Sequence, residues 1–235
     1  MPVRVFETLL IIDGVPIEAE GHMQRLQKAT GIDATDFLKK TAAKLSGYHR
    51  LRIDFTPPNS LTAESLAIPI PALLDGKFSR FQLITKQLSG KRLHAGHGQH
   101  KLADKRELEK LEAQVAPALP LLIDDTAHIL ETSRHNVFVI EEKSLVTPPL
   151  DGRILPGVTR LAILDEAKKL GIIHREEPIL LQRALVSNGM FLSNAVIGMG
   201  WVEQCNEVQW PEISPLAQAL HKNLADRWQR SLKSS

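Results

Sequence analysis

The chain has 235 residues, 43% apolar and 24% charged, which suits one large or two small domains around a real hydrophobic core. Its net charge of +2 is spread among interleaved acids, and its longest basic cluster is Lys39-Lys40, so it lacks the stripe of Lys and Arg that nucleic-acid binders carry. A single cysteine, Cys205, excludes an internal disulfide, and the apolar run 9–12 is too short for a signal-peptide core or a bilayer span; the expectation is a cytoplasmic protein with no membrane partner.

In chain order, residues 4–12 read as a strand, Asp13-Gly14 as a turn and 15–17 as a short return strand. Helical spacing follows over 21–29 and 33–46, with Gly31 as the stop between them. Residues 51–55 alternate apolar and polar, the pattern of a half-buried strand, and Pro57-Pro58-Asn59-Ser60 turns the chain. Residues 61–71 read as an edge strand because of their prolines, and 81–88 as the last strand of a first α/β unit. The composition then shifts to Gly90, Gly96 and Gly98 among His94, His97 and His100; this stretch reads as a loop rather than a metal site. These shifts predict a small N-terminal α/β domain over 1–88, a linker over 89–100 and a larger C-terminal domain over 101–235.

In the second part, 102–114 reads as a charged amphipathic helix, and 119–124, 137–140 and 144–147 as short strands. Pro156-Gly157 opens a helix over about 159–170 that Gly171 ends. Strands are expected at 172–174, 189–193 and 197–203, and a closing helix over 215–232.

Four places could carry chemistry. The entrance Pro156-Gly157-Val158-Thr159-Arg160 leaves backbone N–H groups free for an anion. Glu131 precedes a run of hydrogen-bonding side chains, Thr132 to Asn136, that could hold it ionised. Arg25 lies on an early helix, and Lys101 follows the glycine- and histidine-rich stretch, with Lys86 and Lys91 as its rivals. Each also has a plain reading: a surface lysine, a turn cap, a helix-surface arginine, an ordinary helix entrance. On these residues alone the limit is a two-domain α/β enzyme.

Glu131-Thr132-Ser133-Arg134-His135-Asn136-Val137-Phe138 resembles the E-x-S-x-x-N-x-F signature of class IV aminotransferases, the fold-type IV pyridoxal-phosphate enzymes. Leu155-Pro156-Gly157-Val158-Thr159-Arg160 is similar to their L-P-G-(I/V)-T-R phosphate loop, and Phe6-Glu7-Thr8 with His22-Met23-Gln24-Arg25-Leu26 to their N-terminal pair. The resemblance runs over about residues 3–205, with the motifs in order. It implies a small N-terminal α/β domain, a larger C-terminal β-barrel-like domain with helices, pyridoxal 5'-phosphate as cofactor and a homodimer. It also implies Lys101 as the Schiff-base lysine, Glu131 beside the pyridine nitrogen, and Arg25 with the backbone of Val158 and Thr159 on the phosphate.

Phe191-Leu192-Ser193-Asn194-Ala195 takes the place of the other phosphate-side loop, with Asn194 as a cofactor-binding candidate; taken alone, Asn194 could equally satisfy a turn. Transaminases of the class commonly carry Thr-Gly-Thr there, whereas Ser-Asn-Ala looks more like the C-N-(A/S)-L of 4-amino-4-deoxychorismate lyases. The expectation is therefore a lyase acting on a small carboxylated amine. A D-amino-acid or branched-chain aminotransferase is the alternative, and a non-catalytic protein retaining the fold is the alternative from another class. Two departures from the family pattern stand out. The Gly-Asp-Gly before Phe-Glu-Thr is absent, and Lys105 and Arg106 stand where a tyrosine often follows the lysine. Arg4, Arg80, Arg106 and Arg134 are the candidates, unranked, for the substrate carboxylates.

Overall fold

In the computed structural model, which describes residues 4–88 and 106–233, strand β1 (Val5–Ile12) is buried along nearly its whole length. The Asp13-Gly14 turn returns it as β2 (Val15–Pro16), and helices α1 (Ala19–Thr30) and α2 (Thr35–Ala42) follow. Gly31 ends α1 with a φ of 77°, a left-handed conformation that costs little only without a Cβ, and its N–H donates to the Gln27 carbonyl. Strands β3 (Tyr48–Thr56) and β4 (Ser60–Ala67) complete a four-stranded sheet of order β2-β1-β3-β4, with β4 as an exposed edge.

Strand periodicity gives this sheet two different faces. Pairing of Leu9 with Leu51 and of Thr8 with Arg52 fixes the register between β1 and β3. Val5, Leu9, Ile11, Leu51, Ile53 and Phe55 therefore share one side, where they pack on Met23 and Leu26 of α1 and Leu38 of α2. The opposite side carries Phe6, Thr8, Arg50 and Arg52, and faces the rest of the molecule.

The remaining elements are β5 (Ser79–Gln87), α3 (Arg106–Val115), β6 (Leu119–Ile123), β7 (Ile129–Thr132), β8 (Asn136–Glu141) and β9 (Ser144–Thr147). After them come α4 (Val158–Lys169), β10 (Ile173–Glu176), α5 (Leu181–Leu185), β11 (Gly189–Asn194), β12 (Gly198–Cys205), β13 (Val208–Gln209) and α6 (Pro215–Lys233). Strands β8, β11, β12, β5, β6 and β7 pair in that order, and β7 pairs back to β8, so the sheet closes into a barrel. β8 and β11 have no exposed residue, and accordingly carry the apolar runs 137–140 and 190–192 rather than an alternating pattern. Phe138 and Phe191 lie opposite each other in the register, their rings stacked with centroids 4.8 Å apart. Helix α6 adds Leu220, Leu224 and Trp228 to this core.

The barrel corrects one expectation. The strand read over 81–88 as the end of the first α/β unit is β5, and it hydrogen-bonds between β12 and β6 inside the larger sheet. Its neighbours come from far along the chain, and such pairing leaves no local mark in sequence. Among the described residues no helix is long and apolar enough to cross a membrane.

Candidate active site

The free face of the four-stranded sheet looks onto a cavity of about 950 Å³. Phe6, Thr8, Arg50 and Arg52 form that wall, α1 contributes His22 and Arg25, and α3 contributes Glu112. The barrel supplies Glu131 and Asn136, the entrance to α4, and the loop following β11. A volume of this order suits a cofactor together with a small substrate.

Glu131 and Asn136 meet because they close the barrel. They are the paired residues of β7 and β8, brought together by the short loop Ser133-Arg134-His135, in which the Thr132 N–H donates to the His135 carbonyl at 2.9 Å. Glu131 Oε2 accepts from the Leu155 N–H at 3.1 Å and from Asn136 Nδ2 at 3.3 Å. Asn136 Nδ2 also donates to the Leu155 carbonyl at 2.9 Å. One amide thus ties the carboxylate to the segment that enters α4. Gly157 belongs to the same packing: a Cβ there would lie 2.0 Å from Asn136 Oδ1, a clash that only glycine avoids.

Arg25 reaches the same segment from the other side. Its Nη1 donates to the Pro156 carbonyl at 2.8 Å, while its Nε and Nη2 grip Glu7 at 2.8 and 2.6 Å. His22 Nδ1 donates to Glu7 Oε2 at 2.8 Å. Glu7 is 2% exposed. Burial alone pushes its carboxyl up, but the Arg25 charge and the hydrogen bonds from Arg25 and His22 overcome this and hold it well below the usual carboxylate range. The result is a fixed ion pair that aims a guanidinium at the entrance of α4.

That entrance has the makings of an anion site. Among the described residues no side chain caps the N-terminus of α4, and Val158 and Thr159 of its first turn, whose N–H groups have no partner within the helix, line the cavity. Beside Asn136, its partner in the β8–β11 register, Ser193, 1% exposed, has its Oγ buried with no hydrogen-bond partner among the described residues. Asn194 Oδ1 accepts from the N–H groups of Val196 and Ile197, both at 2.9 Å, so this side chain builds the loop and its oxygen is already engaged.

Arg25, Glu131, Val158, Thr159 and Asn194 therefore line one cavity. Lys101 and its rival Lys91 lie outside the described residues, as do His94, His97 and His100. Lys86, the other rival, sits on β5 and is not part of the described wall. Among the arginines weighed for carboxylates, Arg134 lines the cavity but is held bidentately by Glu112 at 2.8 and 2.7 Å. Arg80 is paired with Glu203, and neither it nor Arg4 or Arg106 belongs to the wall.

Sequence reasoning passed over Arg50, Arg52 and Arg153, all three in the wall. The alternation around Leu51 and Ile53 was a usable signal for the first two, since its polar positions must share a face. Arg153 is bound to Asp124 and Asp151, at 2.6 and 2.7 Å.

The arrangement fits an aromatic phosphate ester. An orphaned hydroxyl at Ser193 and an uncapped helix start with an aimed arginine offer phosphate donors. A carboxylate backed by a main-chain N–H suits a protonated ring nitrogen.

Known proteins match this architecture and these motifs. Residues 4–205 match the family model for amino-transferase class IV. A probable branched-chain-amino-acid aminotransferase of Thermotoga maritima is 33% identical over 95 residues, which is 40% of this chain and 35% of that protein. The chain thus aligns with about a third of that relative's length, and with 26% to 44% of other branched-chain aminotransferases. Among solved structures, a Legionella pneumophila protein provisionally named 4-amino-4-deoxychorismate lyase superposes with a TM-score of 0.81 at 19% identity, covering 96% of this chain and 91% of that one. A hypothetical aminotransferase of Mycobacterium tuberculosis in its pyridoxal-phosphate-bound form gives 0.77 at 20% identity, covering 96% and 88%.

Proposed function

The chain belongs to the class IV aminotransferase family, whose members are pyridoxal-phosphate-dependent enzymes, and from that premise we propose that it is a 4-amino-4-deoxychorismate lyase producing 4-aminobenzoate and pyruvate. The observation that carries this reading is the loop Ser193-Asn194-Ala195 in the cavity wall, where Asn194 locks the turn in place of the Thr-Gly-Thr common in transaminases. A cavity wall that includes Arg50, which has no acid partner among the described residues, suits a carboxylated substrate and supports it.

Pyridoxal phosphate, when bound, supplies a protonated pyridine ring able to take up the electron pair left by bond breaking beside the substrate nitrogen. Glu131 holds the proton on that ring nitrogen, with the Leu155 N–H and Asn136 keeping the carboxylate in place. Arg25 and the first-turn N–H groups of α4 hold the phosphate, and Glu7 keeps Arg25 oriented. Lys101 would hold the cofactor covalently and, with its amine free, would serve as the base. Its amine removes the proton from the ring carbon that bears the substrate nitrogen. The C–O bond to the enolpyruvyl group then breaks, the ring becomes aromatic, and the departing enolate takes up a proton to give pyruvate. The reading places the enzyme in the cytoplasm as a homodimer, a setting that suits its one thiol, Cys205, free and buried.

A branched-chain or D-amino-acid aminotransferase is the second reading, favoured by the sequence matches to branched-chain aminotransferases. The two differ in what becomes of the amine. Incubation of the loaded enzyme with 4-amino-4-deoxychorismate should release pyruvate and 4-aminobenzoate in equal amounts with no added oxo acid. If no pyruvate forms, while an amino acid donor converts the visible band to that of the pyridoxamine form, the lyase reading is wrong.

A further inference from the structure

Most cations in the cavity wall are already matched by an acid. Arg25 is held by Glu7, Arg134 by Glu112, and Arg153 by Asp124 and Asp151. Arg52 chelates Asp54 at 2.7 Å through both Nε and Nη2, and its guanidinium lies 4.0 Å above the centre of the Phe6 ring. Arg50 differs from all of these: it forms no hydrogen bond or ion pair among the described residues.

The register explains why Arg50 stays unmatched. On β1 it faces Leu10, and on β4 it faces Leu66, so neither neighbouring strand sets an acid opposite it. The nearby acid on β4, Glu64, is paired in register with Arg52. Arg50 and Arg52 are two positions apart on one strand, hence on the same face and about 7 Å apart along it. The hydroxyl of Thr8, opposite Arg52 on β1 and also in the wall, has no hydrogen-bond partner among the described residues either. Among the described residues the sheet wall thus presents one uncommitted guanidinium and one uncommitted hydroxyl, both suited to an oxyanion.

We propose that Arg50, assisted by Thr8, reads a carboxylate of the substrate remote from its reacting amine, so that the enzyme selects dicarboxylates over monocarboxylates. The inference rests on the lyase reading for the identity of the substrate, and on the cavity wall for the residue. Arg50 is a specificity determinant with no part in holding the cofactor.

The test titrates the pyridoxal-phosphate-loaded enzyme with maleate, an unreactive dicarboxylate, and with acetate, following the visible band. Wild type should bind maleate more tightly than acetate. Arg50→Gln should weaken maleate by about tenfold or more while leaving acetate within about twofold, the size expected for one lost charge-assisted hydrogen bond. Arg50→Lys should restore part of the loss, because it returns the charge without the fork. An unchanged visible band in both variants shows that each has folded and taken up the cofactor. Equal loss for maleate and acetate, unchanged maleate affinity in Arg50→Gln, or a wild type that does not prefer maleate would each overturn the proposal. The two readings can fail separately. Pyruvate release with an indifferent Arg50→Gln leaves the lyase and removes the inference, whereas no pyruvate release with weakened maleate binding does the reverse.

Discussion

Replacing Glu7 by Gln should destabilise the cofactor-free protein by about 3 kcal/mol, measured by urea unfolding at neutral pH. Removing one partner of a buried ion pair leaves the other charge uncompensated, and Arg25 keeps only the Pro156 carbonyl and whatever the new amide oxygen can accept. The effect should depend on pH in a definite direction. Burial opposes ionisation of Glu7, yet Arg25 and His22 hold its folded carboxyl well below the ordinary value of 4.5. A group depressed on folding adds stability that is fully present above its unfolded pKa and is lost as the pH falls toward its folded one. The gap between wild type and Glu7→Gln should therefore be flat at neutral pH and narrow once the pH drops below 4.5. A loss under about 1 kcal/mol, or a gap that widens on acidification, would mean that the ion pair does not carry this energy.

Glu131→Gln should leave the fold nearly unchanged, because the new carbonyl can still accept from the Leu155 N–H. What it removes is the negative charge that the proposed function sets beside the ring nitrogen. We expect kcat to fall by about 10²- to 10³-fold, in the range seen when one preorganised electrostatic partner of a reacting group is deleted. The visible band should persist, since Arg25 and the α4 entrance are untouched. A variant within about threefold of wild-type kcat would place the ring nitrogen elsewhere.

Much of this was legible in the chain itself, for physical reasons that can be stated residue by residue. Asp13-Gly14 and Gly31 mark their turn and helix end because the backbone there has a positive φ that glycine adopts freely. Glu131, Asn136 and Gly157 carry a signature because three constraints meet on them: barrel closure, the bridge from Asn136 to Leu155, and the lack of room for a Cβ. What stayed hidden was non-local. β5 has the residues of any strand, and its place between β12 and β6 is decided by pairing across more than a hundred residues on one side. β7 and α5, with 4 and 5 residues, are too short to show a period. Arg52 is a polar position of the alternating run 51–55 and Arg50 lies just before it, and only the placement of the barrel turns their side of the strand into a cavity wall.

The mechanism depends on which lysine joins the cofactor in the cavity that Glu131 and Arg25 share. Borohydride reduction of the loaded enzyme, followed by peptide mapping, answers this directly. A single pyridoxyl label on Lys101 is the expected result. A label on Lys86 or Lys91, or a Lys101→Ala variant that keeps both its yellow colour and its turnover, would contradict it.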